Sequence, residues 1–394
     1  MSLSTFFKYL SFLGCAAALV FAVSCSDEAA EETDTEIETE METETSIDDC
    51  APVSWPAPEV DAVIDTIQTA IDGQGDPADT YIGVMPNHLS GFWDIPELGF
   101  SEAKDEIGCL GDWIFPPSKT EPVETISQGQ QDIFADWRAE GGDLPAAAGI
   151  GLSAKLSADL VAPINEAVLA GIPIVTFDSD VGESDRYLYI GPLNEPAGAL
   201  AAKQMLDLLG ADDTSKILVL AGAQGEANIQ DRVAGIQGAF ADAGRSSQLL
   251  DISWDTGDDP VTPIDAAYTA DPDLGGIILL NGTWGAPVGD WLVAEDLTMQ
   301  IDIVAWDADE AVLAYISENV IDATMVQREY FYGYLTTYVL FAMAALGVNE
   351  TLELLGPYIT GENHDLLNTG MDVITPVNAE YYSLYRKCLG LSTK

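Results

Sequence analysis

The sequence predicts an α/β protein built on two largely parallel sheets, one in each half of the chain. Three observations carry this reading. Short apolar runs rich in β-formers alternate with stretches of helical length. Several of those helical stretches close on a glycine, at Gly171, Gly210 and Gly244. Polar and aromatic side chains collect just beyond the strands, where sheets of this class hold ligands.

The elements follow in order. Residues 80–85, TYIGVM, form the first strand, and 94–107 a helix. A second strand at 109–115 is stopped by Pro116 and Pro117. Helix 122–140, strand 147–152 and helix 157–170 lead to IPIVTFD, 172–178, a continuous apolar strand. The second half repeats the rhythm with helix 196–209, strand 216–221 and helix 228–243. Strands at 249–254, 276–280 and 301–306 alternate with helices at 263–270, 286–295 and 309–318. Strand 322–326 and helix 330–346 close the pattern.

Composition narrows the function. The 394 residues suggest two domains, and 47% hydrophobic content supplies a sizeable core. Lys plus Arg is 14 against 66 Asp plus Glu, a formal net charge of −52. Such a surface repels nucleic acid and anionic lipid. His88 and His364 are the only histidines, so a multi-histidine metal site is ruled out. Asp255-Thr256-Gly257 imitates an aspartic-protease motif, but no second copy exists to share the proton. No GxxxxGK[ST], GxSxG, HExxH or CxxC motif is present. The expectation is a binding protein, not an enzyme, with no cofactor and no metal.

The N-terminus reads as an export signal. Lys8 precedes an apolar stretch over 10–23 that is too short for a stable membrane span. It ends in Ala22-Val23-Ser24-Cys25, which resembles a bacterial lipobox, so 1–24 is the expected signal peptide and Cys25 the lipidated residue. Residues 26–49 carry 12 carboxylates and no cation, the composition of an extended, disordered tether. Without Lys8 and this run, residues 50–394 still hold 13 basic and 54 acidic side chains, a net of −41.

Beyond the strands stand Asn87, Phe92 and Trp93; Ser153; Asp178 and Asp180; Gln224 and Arg232; Asn281 and Trp284; Asp307; and Gln327. Carboxylates and amides engage vicinal hydroxyls in pairs, and aromatic rings cover apolar C–H faces. That combination suits a polyhydroxylated ligand. Trp306, inside an apolar strand, reads as core, and His88 as a neutral loop residue.

Five segments resemble the type 1 periplasmic sugar-binding proteins, the group that includes ribose and galactose binders and the effector domains of lactose-repressor-like regulators. They are AGIPIVTFDSD (170–180), YIGPLNEPAGALAAKQM (189–205), ILVLAGAQGEANIQDRVAGIQGAF (217–240), IVAWDADEAVLAYISENVIDATMVQREYFYGY (303–334) and TGMDVITPVNAEYY (369–382). The resemblance spans about 79–382 and implies two doubly wound parallel-sheet lobes joined by three hinge crossovers. It places an N-terminal extension at 50–78, an N-terminal lobe at 79–178 plus 328–372, and a C-terminal lobe at 183–325 plus 376–394. Gln327 and Thr375 fall at the second and third crossings.

The same resemblance implies roles. Phe92 and Trp93 stand where the group sandwiches a sugar, and Arg232, Asn281, Asp307 and Gln327 match its polar ligand positions. Asp178 follows its strand as in the group, but Ser179 stands where ribose binders carry Arg, and Ser153 where they carry Asn. Gly282-Thr283-Trp284 resembles a Gly-Leu-Trp pattern, making Trp284 a possible extra stacker. The implied function is a monomeric, lipid-anchored solute-binding protein of the periplasm or cell surface. It would deliver a neutral monosaccharide to an ABC permease and ATPase. The alternative is a ligand-presenting component for a sensor kinase or chemoreceptor. Cys50, Cys109 and Cys388 remain after export, enough for one disulfide. The N-terminal extension must approach the end of the lobe where Cys109 begins its strand, so Cys50–Cys109 is preferred over a bridge to Cys388.

Overall fold

The computed structural model describes residues 55–118, 120–139, 144–222, 226–254, 257, 259–361 and 363–390. The sheet of the first lobe contains β1 (Tyr81–Met85), β2 (Leu110–Trp113), β3 (Gly149–Leu152), β4 (Ile174–Phe177) and β5 (Leu188–Gly191), with β11 (Ile359–Thr360) and β12 (Leu366–Asn368) at one edge. Its order is β11-β12-β5-β4-β3-β1-β2, parallel throughout except between β11 and β12. The second sheet has β6 (Lys216–Leu220), β7 (Leu249–Ser253), β8 (Leu274–Leu279), β9 (Asp302–Trp306), β10 (Ala323–Gln327) and β13 (Met371–Ile374). Its order is β13-β10-β9-β8-β6-β7, with only β13 antiparallel. Every residue of β1, β3, β4 and β5 is buried, as unbroken apolar runs require when both faces of a sheet are covered.

Twelve α-helices accompany the sheets among the described residues. They are α1 (Pro58–Ile71), α2 (Asp94–Ile107), α3 (Val123–Arg138), α4 (Ser157–Leu169), α5 (Asn194–Leu209), α6 (Ala227–Asp242), α7 (Val261–Ala270), α8 (Gly285–Ala294), α9 (Glu310–Ser317), α10 (Tyr330–Leu346), α11 (Val348–Leu355) and α12 (Ala379–Cys388). Each lobe has two apolar clusters, one on each face of its sheet, and Phe100, Phe134, Phe240 and Trp284 are among their largest members.

The chain passes between the sheets three times, and two passages differ from the sequence reading. β5 pairs with β4, so the first passage runs through Pro192 and Leu193, not between 178 and 183. A four-residue strand behind a polar loop carried too little signal to be separated from the helix that follows. The second passage runs through Arg328 and Glu329. The third runs through Thr369 and Gly370, because β13 already pairs with β10; the expected crossing at Thr375 lies beyond that strand. Arg328 ties the last two passages together, donating to both carboxylate oxygens of Asp372 and to the carbonyl of Thr369.

The extension before the first strand is built into the fold. Val60, Val63 and Ile67 of α1 join the first lobe's core beside Tyr338 and Phe341. Trp55 instead meets the last helix of the second lobe, edge-on to Tyr382 at 4.8 Å between ring centroids. The cysteine expectation is overturned: Cys109 is buried and free, and Cys388 is disulfide-bonded. Its partner therefore lies outside the described residues, as do Cys25 and Cys50. Cys109, directly before β2, is buried in the first lobe's core, whereas Cys388 closes α12, the helix on which Trp55 packs.

Close helix contacts set the geometry of each lobe. A Cβ on Gly198 of α5 would lie 1.9 Å from the carbonyl oxygen of Arg232, and one on Gly235 of α6 would lie 1.9 Å from that of Glu195. The first lobe repeats the device: Gly99 of α2 faces Tyr330, and Gly333 of α10 faces Pro96.

Candidate functional site

A cleft of about 960 Å³ is lined by both lobes. Its floor is set by two strand ends of matching design. After Phe177 in β4 and after Trp306 in β9, the chain turns through an aspartate in the left-handed region, Asp178 at φ 56° and Asp307 at φ 58°. Non-glycine residues adopt that conformation uncommonly, with Asp and Asn among the more tolerant. Each turn is held from the adjoining strand. The Asp178 N–H donates to Ile190 O at 3.3 Å and Tyr189 Oη donates to its carbonyl at 2.8 Å. The Asp307 N–H donates to Met325 O at 2.7 Å, and the Thr324 hydroxyl donates to its carbonyl.

The carboxylates have different partners. Ser153 Oγ donates to Asp178 Oδ2 at 2.9 Å. Gln327 Nε2 donates to Asp307 Oδ1 at 2.9 Å. Arg232, 3% exposed, donates through Nη2 to Gln327 Oε1 at 2.8 Å and through Nε to Asn194 Oδ1 at 2.9 Å. Tyr332 Oη donates to the same Gln327 oxygen at 3.0 Å. The guanidinium lies over the Trp306 ring, 4.2 Å from its centroid.

Burial dominates the electrostatics. It pushes the Asp178 carboxyl up to about 6, against the opposing pull of Arg232 and the Ser153 hydrogen bond. Asp307 is raised for the same reason, against Gln327 and Arg232. Glu329, in the second passage, is raised by burial and then by the negative charge of Asp307.

Of the sequence-derived candidates, Asn87, Phe92, Trp93, Asp178, Arg232, Asn281, Trp284, Asp307 and Gln327 all line this cleft. Ser153 does not: it is fully buried behind the wall and acts on Asp178. The aromatic candidates also divide. Phe92 is half-buried, whereas Trp93 is 1% exposed and packed against Trp113 and Phe177. Trp284 is equally buried, and its Nε1 donates to Gly257 O at 2.9 Å. Neither tryptophan offers a broad face for stacking. Asn281 Oδ1 accepts from the N–H and hydroxyl of Thr283, so only its amide nitrogen is uncommitted to that turn. Among the described residues, buried Asn87 Oδ1 and Trp93 Nε1 have no hydrogen-bond partner, which leaves an acceptor and a donor at the wall. Gln224 lies outside the described residues.

Sequence reasoning missed Asn194, Lys155, Glu226, Glu329 and Arg386, the last four of which line the cleft. The scarcity of cations could have pointed to Lys155 and Arg386; Glu226 and Glu329 carried no signal among so many carboxylates. Trp306 is core, as its apolar strand implied, and also supports Arg232 from below.

The periplasmic binding protein domain matches residues 82–347. An ABC transporter solute-binding protein from Burkholderia graminis, solved with D-arabinose, is 25% identical with a TM-score of 0.65, covering 77% of this chain and 98% of its own. The sugar-binding protein of a sugar ABC transporter from Bacillus halodurans has 24% identity and a TM-score of 0.61 over 77% of this chain and 100% of its own. A structure described as an XylFII-LytSN complex has 19% identity and a TM-score of 0.61 over 76% of this chain and 99% of its own. No curated protein matches. With two crossed-over lobes, a cleft between them and a family match over most of both, the chain belongs to the periplasmic binding protein family.

Proposed function

We propose that this protein captures a neutral monosaccharide in its cleft, outside the cytoplasm, for delivery to an ABC-type importer. The observation that carries the reading is the pair of strand-end carboxylates, Asp178 and Asp307, one from each lobe and both lining one cleft with Arg232. Two carboxylates accept from hydroxyls on opposite sides of a ring, and an arginine fork donates to oxygens between them. Phe92 supplies an apolar face. Cations in the wall are too few, and too well matched by carboxylates, to select an anion. The solute-binding protein from Burkholderia graminis, solved with D-arabinose, supports a sugar of this size.

Contacts from both lobes form together only in a closed state, so binding is expected to close the hinge. The test is a monosaccharide panel read by melting temperature and then by titration calorimetry. At 100 times Kd, a ligand that binds only the native state adds about 2.7 kcal/mol. Binding of an amino acid, an amine or a phosphate with no sugar response would overturn the reading. The resemblance of the N-terminus to a lipobox supports anchoring through Cys25, and Cys25→Ala would then release the protein from membranes. A second reading, presentation of the ligand to a sensor, is favoured by one observation, the likeness to the XylFII-LytSN complex.

A further inference from the structure

One ion pair joins the lobes at the cleft wall. Lys155, in the turn after β3, belongs to the first lobe; Glu226, directly before α6, belongs to the second. Lys155 Nζ lies 3.1 Å from Glu226 Oε1, with the two side chains 16% and 22% exposed. Of the ion pairs among the described residues, it is the one that spans the cleft. The hydrogen bonds from Tyr332 to Gln327 and from Asn194 to Tyr189 also join the lobes, but they sit beside the chain crossings and can survive a hinge rotation.

Lys155 is held in place from behind. Gln130, fully buried in α3, donates to Pro86 O at 2.9 Å and to Ser153 O at 2.7 Å, and accepts from the Lys155 N–H at 2.9 Å. One amide thus fixes the loops after β1 and β3 together, and the lysine side chain starts from a rigid backbone. Glu226 is a charge that acts on Asp178, so Lys155 also offsets repulsion between that carboxylate and the opposite lobe.

We propose that Lys155 and Glu226 form an electrostatic latch that biases the two lobes toward closure before any ligand arrives and so sets the affinity and lifetime of the closed state. Opening breaks the pair and returns both charges to water. Closing restores it. The latch contributes to closure without touching the ligand, and it holds whatever the cleft binds. For a partly desolvated pair, losing one partner is expected to shift the open–closed ratio about threefold to tenfold.

The test uses the full chain without ligand. Spin labels at two exposed positions, introduced by Leu169→Cys in the first lobe and Met299→Cys in the second, report the inter-lobe distance distribution. Lys155→Met and Glu226→Lys are each expected to move population out of the closed distance class. The double exchange, Lys155→Glu with Glu226→Lys, is expected to restore it. An unchanged distribution in Lys155→Met, or a double exchange no more closed than Glu226→Lys alone, would overturn the latch. Circular dichroism on each variant separates a lost latch from a lost fold. Failure of the sugar panel would leave this result untouched, because no sugar is present.

Discussion

Asp178 and Asp307 occupy equivalent strand ends in the two lobes, yet they are supported in different ways. The Asp178 carboxylate accepts one side-chain hydrogen bond among the described residues, from the Ser153 hydroxyl, and otherwise feels Arg232 and Glu226 only as nearby charges. Asp307 belongs to a chain of side chains that runs through Gln327 and Arg232 to Asn194. The second lobe therefore carries the preorganised polar half of the site, and the first lobe carries a more lightly held carboxylate beside Phe92. Networks of this kind respond to loss of one member as a unit, whereas a single hydroxyl contact can be removed alone.

The comparison is broken most severely at Arg232. Arg232→Ala deprives Gln327 and Asn194 of a charged donor and leaves Asp178 and Asp307 without their shared cation. With charge-assisted bonds worth about 1.5–3 kcal/mol, affinity is expected to fall at least about tenfold, as measured by calorimetry with the selected sugar. Wild-type affinity in a folded variant would reduce Arg232 to a structural role.

The paired glycines give a finer contrast. Gly198→Ala would drive a Cβ into the backbone of α6 at Arg232, and Gly99→Ala would drive one into the backbone of α10 at Tyr330. Both are expected to lose about 1–3 kcal/mol or more of stability in urea unfolding. Only Gly198→Ala is expected also to weaken sugar binding severalfold, because α6 carries the arginine. Equal affinity losses in the two variants would show that the close helix packing, rather than Arg232, governs the site.

Titration sharpens the comparison further. Folding lifts Asp178 from an ordinary 3.8 to about 6, so the folded chain holds more protons than the unfolded chain between those values. Its contribution to stability is therefore most favourable at low pH and declines as pH rises through that window. A sugar held by ionised carboxylates has the opposite trend, binding more tightly as pH climbs past about 6. Ser153→Ala removes a hydrogen bond that pulls Asp178 down, and so is expected to move the midpoint of the affinity profile upward. An unmoved midpoint would assign the profile to the Asp307 half.

The smallest expected effect on binding is that of salt. Residues 50–394 carry a net −41, and mutual repulsion of these charges opposes compaction. Raising sodium chloride shortens the Debye length from about 10 Å at 0.1 M to about 3 Å at 1 M, so the melting temperature is expected to rise. Affinity for a neutral sugar is expected to change far less. A steep loss of affinity would point to a charged ligand, and a falling melting temperature would contradict the repulsion argument.

Much of the scaffold was legible because its strands are covered on both faces. Runs such as KILVL and DIVAW stay apolar without alternation, and helices such as α10 fall where the pattern placed them. Short or partly exposed elements were not legible: β5 and β13 have four residues each, and β13 is only half-buried along most of its length. The site residues after strands were readable by position, since strand ends in such sheets point at the cleft. Ser153 shared that position but turned inward, which no local pattern distinguishes. Cys109 likewise sits at a strand start that sequence cannot distinguish from a reachable edge.

The sequence by itself determined the two largely parallel sheets, their order along the chain and a group of polar and aromatic residues at strand ends. These depend on local periodicity and on residue type at strand ends. Only the tertiary structure decided which cysteine is bridged, which aspartate joins the Arg232 network, which tryptophans are spent in the core, and that Lys155 meets Glu226 across the cleft. Those pairings join residues far apart in the chain, and their distances are set by how sheets and helices pack, which no window of sequence encodes.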